Sequence, residues 1–162
     1  MIQAIQGSEF YAYINTEANR IDTSVSSSHI RHLVKFINDL DGAVFYAYGY
    51  TETIENRYTV LRFLYDTSDV YRGLLKLTPS GYYKYEVYEV SWIAAEEGEQ
   101  TYLRKGFAPA TETDVLTVDN SNGVVQGLVD IGKLYLSDAI KPAGDEVQYI
   151  QNAKRVQTLI IQ

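Results

Sequence analysis

The sequence predicts an all-β protein built as an antiparallel β-sandwich, and three observations carry that expectation. Short segments alternate apolar and polar residues with period two, and Gly, Pro, Asn and Asp punctuate them at the roughly 8–12-residue spacing of sandwiches. No strand–helix–strand unit of the kind that builds parallel sheets occurs. Tyrosine is abundant, 15 residues against five Phe and one Trp in 162, and an aromatic body with a wet tip suits half-buried sheet faces and interfaces.

Taken in order, Glu9 to Asn15 alternates cleanly, with Phe10, Ala12 and Ile14 on one face and Tyr11 and Tyr13 on the other. Ser24 to Ser28 is a polar connector. The next segment admits two readings. Ile30, Leu33, Val34, Ile37 and Leu40 fall at helical spacing behind Ser28 as an N-cap. The run Leu33 to Asn38 is β-branched and aromatic, however, and Asp39-Leu40-Asp41-Gly42 forms a turn signal before the strand Ala43 to Tyr50, so a hairpin is expected.

Arg57 to Tyr65 predicts a strand with Tyr58, Val60, Arg62 and Leu64 opposite Thr59, Leu61, Phe63 and Tyr65. Tyr71 to Leu77 reads as a short strand entering the turn Thr78-Pro79-Ser80-Gly81. Tyr82 to Ile93 is the longest expected strand. Ala94 to Thr113 is an acidic excursion with Thr101 to Arg104 as a short strand. Val124 to Leu136 is a late strand, where Gly127 and Gly132 mark a bulge or a close backbone approach. Residues 1–136 are thus expected to form the sandwich, and 137–162 a linker and C-terminal arm.

Composition narrows the function classes. Absence of cysteine excludes disulfides, thiolate metal sites and cysteine nucleophiles, and suits a reducing compartment. The N-terminus lacks a basic region and an apolar stretch of signal length, and no window approaches the run of about 20 apolar residues that a membrane span needs. A soluble, non-exported protein is expected. The net charge of −7 disfavours nucleic acid, which requires a basic surface. A chain of this size buries roughly 70% of its unfolded surface without staples.

Candidate sites are sparse, and no enzyme is expected. His29 and His32, three apart in a strand edge, would point to opposite faces and lack a nearby carboxylate cluster, so they read as exposed or interface histidines. Glu96, Glu97 and Glu99 match no calcium loop and read as a solvated tip. Turn chemistry accounts for Asp39 and Asp41. Tyr82, Tyr88 and Trp92 share one face of the long strand and Tyr83 and Tyr85 the other. A sugar-binding face is weighed there against a core face and a covered face, and the latter pair is favoured. No catalytic, metal or cofactor residues are assigned.

Two features are more specific. Leu77 to Tyr85 (LTPSGYYKY) has the pattern of the corner that opens strand F of immunoglobulin-like sandwiches. Gly81 would begin the strand, Tyr83 would be the corner tyrosine, and Tyr85 would occupy the position where antibody domains keep a cysteine. At the other end, Arg155, Val156, Thr158, Leu159, Ile160 and Ile161 belong to a strongly β-forming run beyond a Pro/Gly linker. An unpaired strand of that kind is an aggregation hazard. It either folds back as the domain's own last strand or adds to a neighbour's sheet.

The stretch from about His32 to Leu136 resembles small β-sandwich virion proteins of tailed bacteriophages. The likeness lies in the hairpin LVKFINDLDGAVFYAYG, the strand NRYTVLRFLYD, the turn and strand LTPSGYYKYEVYEV, and the late strand VDIGKLYL. The excursion at Ala94 to Thr113 and the arm beyond Ser137 are longer than that pattern. The resemblance implies an immunoglobulin-like accessory protein of the virion, an auxiliary (decoration) protein bound to the major capsid protein or other virion proteins and to copies of itself. It implies no cofactor, no nucleic acid and no membrane as partner. A neck, tail or head-fibre component, and a carbohydrate-binding module used in host adsorption, are the alternatives.

Overall fold

The computed structural model describes residues 1–93, 103–117 and 121–139. Among them eight strands follow in chain order: β1 (Ile2–Ile5), β2 (Phe10–Ile14), β3 (Ile30–Asn38), β4 (Val44–Tyr48), β5 (Thr51–Ile54), β6 (Thr59–Phe63), β7 (Gly81–Ser91) and β8 (Val124–Ser137). Single 3₁₀ turns at Glu17–Asn19 and Ser27–His29 are the helical pieces. One sheet has the order β1-β8-β7-β3-β4 and the other β2-β6-β5.

Strands β2 to β8 therefore fall into the positions B, C, C′, D, E, F and G of an immunoglobulin-type sandwich, with G-F-C-C′ in one layer and B-E-D in the other. The position beside strand B that strand A occupies in such a sheet is unfilled among the described residues. Strand β1 instead pairs with β8, Ile2 opposite Leu134, and does so in parallel. This corrects the expectation of a wholly antiparallel sandwich. The chain passes from one layer to the other between β1 and β2, with Gly7 at φ +86° in the turn, so β1 approaches the late strand β8 rather than its sequence neighbour.

Alternation decides the core. Phe10, Ala12 and Ile14 of β2, Val34 and Phe36 of β3, Leu61 and Phe63 of β6, Val87 of β7 and Leu134 of β8 are buried together between the sheets. Phe36 meets Phe63 edge to face at 5.5 Å and Phe10 at 6.3 Å, so three rings from three strands join the layers. Each such side chain contributes about 2 kcal/mol on burial.

The Leu33–Asn38 segment is a strand, and the hairpin reading holds: Ile37 lies opposite Val44 in an antiparallel pair. Asn38 organises the turn, its Oδ1 accepting from the amides of Leu40 and Asp41. Gly42 adopts φ +73°, which a side chain would resist.

Two local expectations fail. Tyr71 to Leu77 is a turn followed by irregular backbone rather than a strand; it joins the sheets through a bridge at Leu74, backbone hydrogen bonds of Gly73 and Leu75 to Leu64, and the buried Leu75 and Leu77 side chains. The reason is Gly73, at φ +68°, whose backbone is wedged so close to Tyr50 that a Cβ would meet the Tyr50 nitrogen at 2.1 Å. Leu103 and Arg104 form a bend rather than a strand, and Thr101 and Tyr102 lie outside the described residues. Strands β1 and β5, four residues each, are too short to show a period in the sequence.

Candidate functional site

The outer face of the three-stranded sheet carries an aromatic surface. Because Phe10, Ala12 and Ile14 sink into the core, Tyr11 and Tyr13 must stand outward. They are 48% and 65% exposed, and Tyr50 and Tyr58 join them at 48% and 43%. Tyr13 and Tyr58 have ring centroids 6.0 Å apart. Arg62, outward on β6, places its guanidinium 5.9 Å from the Tyr11 ring and 5.7 Å from the Tyr50 ring. Glu9 anchors it, accepting from Nε at 3.0 Å and Nη2 at 2.5 Å. Tyrosines around an oriented arginine are the composition of protein-interface hot spots.

The outer face of the five-stranded sheet is different, because residues 103–117 lie across part of it. Leu33, Tyr48, Val90, Trp92 and Ala108 form a second buried cluster there, with Leu103, Tyr88 and Tyr46 at its margin. Tyr48 donates to the Pro109 carbonyl at 2.7 Å. Glu112 accepts from Lys35 Nζ and Tyr46 Oη, both at 2.5 Å. Burial would raise the Glu112 carboxyl, but the Lys35 and Tyr46 hydrogen bonds and the Lys35 charge hold it below its ordinary value. Tyr88 donates to Glu86 at 2.6 Å, and burial together with that carboxylate raises the Tyr88 phenol.

Tyr82, Tyr88 and Trp92 thus share a face, as the alternation predicts, while Tyr83 and Tyr85 face the intersheet core. Trp92, however, is 2% exposed beneath the cover and offers no stacking platform. Tyr82 is exposed and pairs with Tyr135, ring centroids 4.9 Å apart.

Between the layers lies a buried charged cluster that the sequence reading missed. His32 is not exposed. It sits on the inward face of β3, and its Nδ1 donates to Glu52 Oε1 at 2.5 Å, both side chains 2% exposed. Glu52 Oε2 accepts from Arg31 Nε at 2.9 Å and from the His32 amide at 3.3 Å. Burial alone would raise the Glu52 carboxyl; His32 and Arg31 outweigh it and keep the group below its ordinary range. Strand β3 begins at Ile30, so His29 belongs to the preceding 3₁₀ turn and the two histidines do not form a pair. The Glu52 oxygens are occupied by protein donors, so this histidine–carboxylate contact acts as a tie between layers. The signal that could have found it was the lone acid within the short strand Thr51-Glu52-Thr53-Ile54.

Glu89, lying opposite His32 in the β3–β7 register, is likewise fully buried. Its carboxylate accepts from the amides of Ile21 at 3.0 Å and Asp22 at 2.7 Å, fixing the connector before β3.

At the corner, Gly81 opens β7 at φ +128°, and the Tyr83 hydroxyl donates to the Pro79 carbonyl at 2.6 Å, the tie-back of a tyrosine corner. Tyr85 lies against Gly132, where a Cβ would come within 2.4 Å of its hydroxyl oxygen. Asp41 accepts from the Ala43 amide, and Asp39 from Lys133 Nζ. Glu96, Glu97 and Glu99, and the arm residues Arg155, Val156, Thr158, Leu159, Ile160 and Ile161, lie outside the described residues. Among the described residues no group of three His, Asp or Glu side chains is arranged to hold a metal ion, and no helix is long and apolar enough to cross a membrane.

No protein-family model, curated protein or solved structure matches the chain.

Proposed function

We propose that this chain is a non-enzymatic assembly protein, an auxiliary structural component of a tailed-bacteriophage particle that attaches to the major capsid protein. The assembly half rests on one observation: the outward tyrosines of the three-stranded sheet grouped around Arg62. Large, stiff aromatic rings contribute contact area at low entropic cost, and a held guanidinium adds directional donors. The virion half rests on the resemblance carried by the hairpin, the corner strand and the late Gly-Lys strand. Many copies on a symmetric lattice would let modest contacts add through multivalency.

Quantitative mass spectrometry of purified particles tests this. A copy number near that of the major capsid protein is expected. A small fraction of it would move the chain to the neck, tail or fibres, and absence from particles would overturn the virion reading.

A second reading, glycan capture during adsorption, is favoured by the exposed Tyr13–Tyr58 pair, whose tilted rings form an open corner. It predicts perturbed Tyr13 and Tyr58 ring resonances on titration with host glycans, and unchanged resonances across a broad panel would remove it.

A further inference from the structure

Among the described residues the B-E-D sheet has no fourth strand, and the open position has a defined shape. The carbonyl of Arg62 accepts from Tyr50, that of Tyr58 accepts from Glu55, and Leu64 bonds through both its amide and its carbonyl to Gly73 and Leu75. Tyr58, Arg62 and Leu64 thus direct their backbone groups toward the β5 side of β6, leaving Thr59, Leu61 and Phe63 to bond β2. In the β2–β6 register, Tyr11 lies opposite Arg62 and Tyr13 opposite Val60. The alternation of an antiparallel ladder then turns the amides and carbonyls of Tyr11 and Tyr13 away from β6, toward the open edge. No partner for them occurs on that side among the described residues.

An open edge whose outward side chains are tyrosines is a template for another strand. We propose that the β2 edge is an acceptor, and that its occupant is the C-terminal run Arg155 to Ile161 of this same chain. Strand β8 ends at Ser137, whose carbonyl accepts from the Gln6 amide at 2.9 Å, four residues before β2 begins. The chain therefore leaves the sandwich beside the start of the vacant position. The fifteen residues 140–154 can span ~50 Å when extended, against roughly 17 Å for five strand residues. The run Val156-Gln157-Thr158-Leu159-Ile160-Ile161 has the β-branched, apolar character that such an edge rewards. This deepens the assembly reading, because a strand that fills its own sheet can equally fill a neighbouring copy's.

Amide hydrogen exchange on the purified full chain, read by NMR, tests the proposal apart from any particle. The amides of Tyr11 and Tyr13 are expected to exchange at least ~100-fold more slowly in the parent chain than in the T158P/I160P variant. The Ala12 amide, bonded to β6, is expected to stay protected in both. Protection that disappears on dilution assigns the donor run to a second copy, and protection that persists assigns it to the same chain. Fast exchange at Tyr11 and Tyr13 in the parent chain overturns the proposal, as does slow exchange that survives both the proline variant and deletion of residues 155–162. Mass spectrometry of particles can fail independently, which would remove the virion reading and leave this one standing.

Discussion

His32 and Glu52 meet at 2.5 Å across the two layers of the sandwich, with both side chains all but sealed from solvent. The contact joins β3 of one sheet to β5 of the other, and Arg31 Nε donates to the same carboxylate. Removing one partner of such a cluster strands the others without compensation. The E52Q substitution is therefore expected to lower stability by about 3 kcal/mol, read as a lower urea midpoint with an unchanged slope.

The same contact sets a pH dependence. The Glu52 carboxyl is held below its ordinary 4.5 in the folded chain, despite a burial cost, by His32 and Arg31. A depressed folded value means stability that is present above 4.5 and lost as pH falls through the folded value. Glu89 lies opposite His32 on β7, its carboxylate accepting from the Ile21 and Asp22 amides. Urea midpoints measured from neutral pH downward should fall less steeply in E52Q than in the parent chain, and parallel curves would contradict the assignment.

Gly132 and Tyr85 are coupled by space. A Cβ at 132 would approach the Tyr85 hydroxyl oxygen to 2.4 Å and Cζ to 2.5 Å. G132A is expected to cost ~2 kcal/mol through overpacking. In a Y85L background the cost should shrink by more than half, and a double-mutant cycle with no coupling would show that the ring simply moves aside.

The corner hydrogen bond from Tyr83 to the Pro79 carbonyl is local, and Y83F removes only the hydroxyl. A loss of about 1 kcal/mol is expected, with Trp92 emission unchanged because the second cluster lies elsewhere. Glu112 provides the converse case. E112A releases Lys35 and Tyr46 from the cover over Trp92, so Trp92 emission should shift to the red while the urea midpoint moves little.

Substitution on the tyrosine face should separate assembly from folding. Y13A removes an exposed ring and R62A a half-buried, outward-facing side chain, so stability should change by no more than ~0.5 kcal/mol. If this face is the attachment surface, particle incorporation should fall at least tenfold. Wild-type incorporation of both variants would place the attachment surface elsewhere.

What the sequence determined by itself was whatever depends on a local period. Phe10-Tyr11-Ala12-Tyr13-Ile14 can bury only its odd or its even members, and hydrophobicity chooses the Phe10 set, which puts Tyr11 and Tyr13 in water. The same logic gave β6 and β7 with their faces, while β3, β4 and β8 were legible as strands from β-branched composition and turn signals, and the tyrosine corner from a local motif whose hydrogen bond spans four residues. Long-range placement was not legible. Nothing in Ile2 to Ile5 indicates that it pairs in parallel with a strand more than a hundred residues later, because four residues show no period and parallel partners leave no local mark. Neither did His32 announce Glu52, since a polar residue on an inward face looks like an irregularity until the partner strand delivers its charge. The grouping of Tyr11, Tyr50, Tyr58 and Arg62 is of the same kind. Tyr11 and Tyr50 lie in segments apart from the one that carries Tyr58 and Arg62, and only the pairing of β2 with β6 and β6 with β5 makes them one surface. Tertiary structure decided these features because they depend on which strand lies beside which, and that choice is made by the summed burial of the whole core rather than by any segment alone.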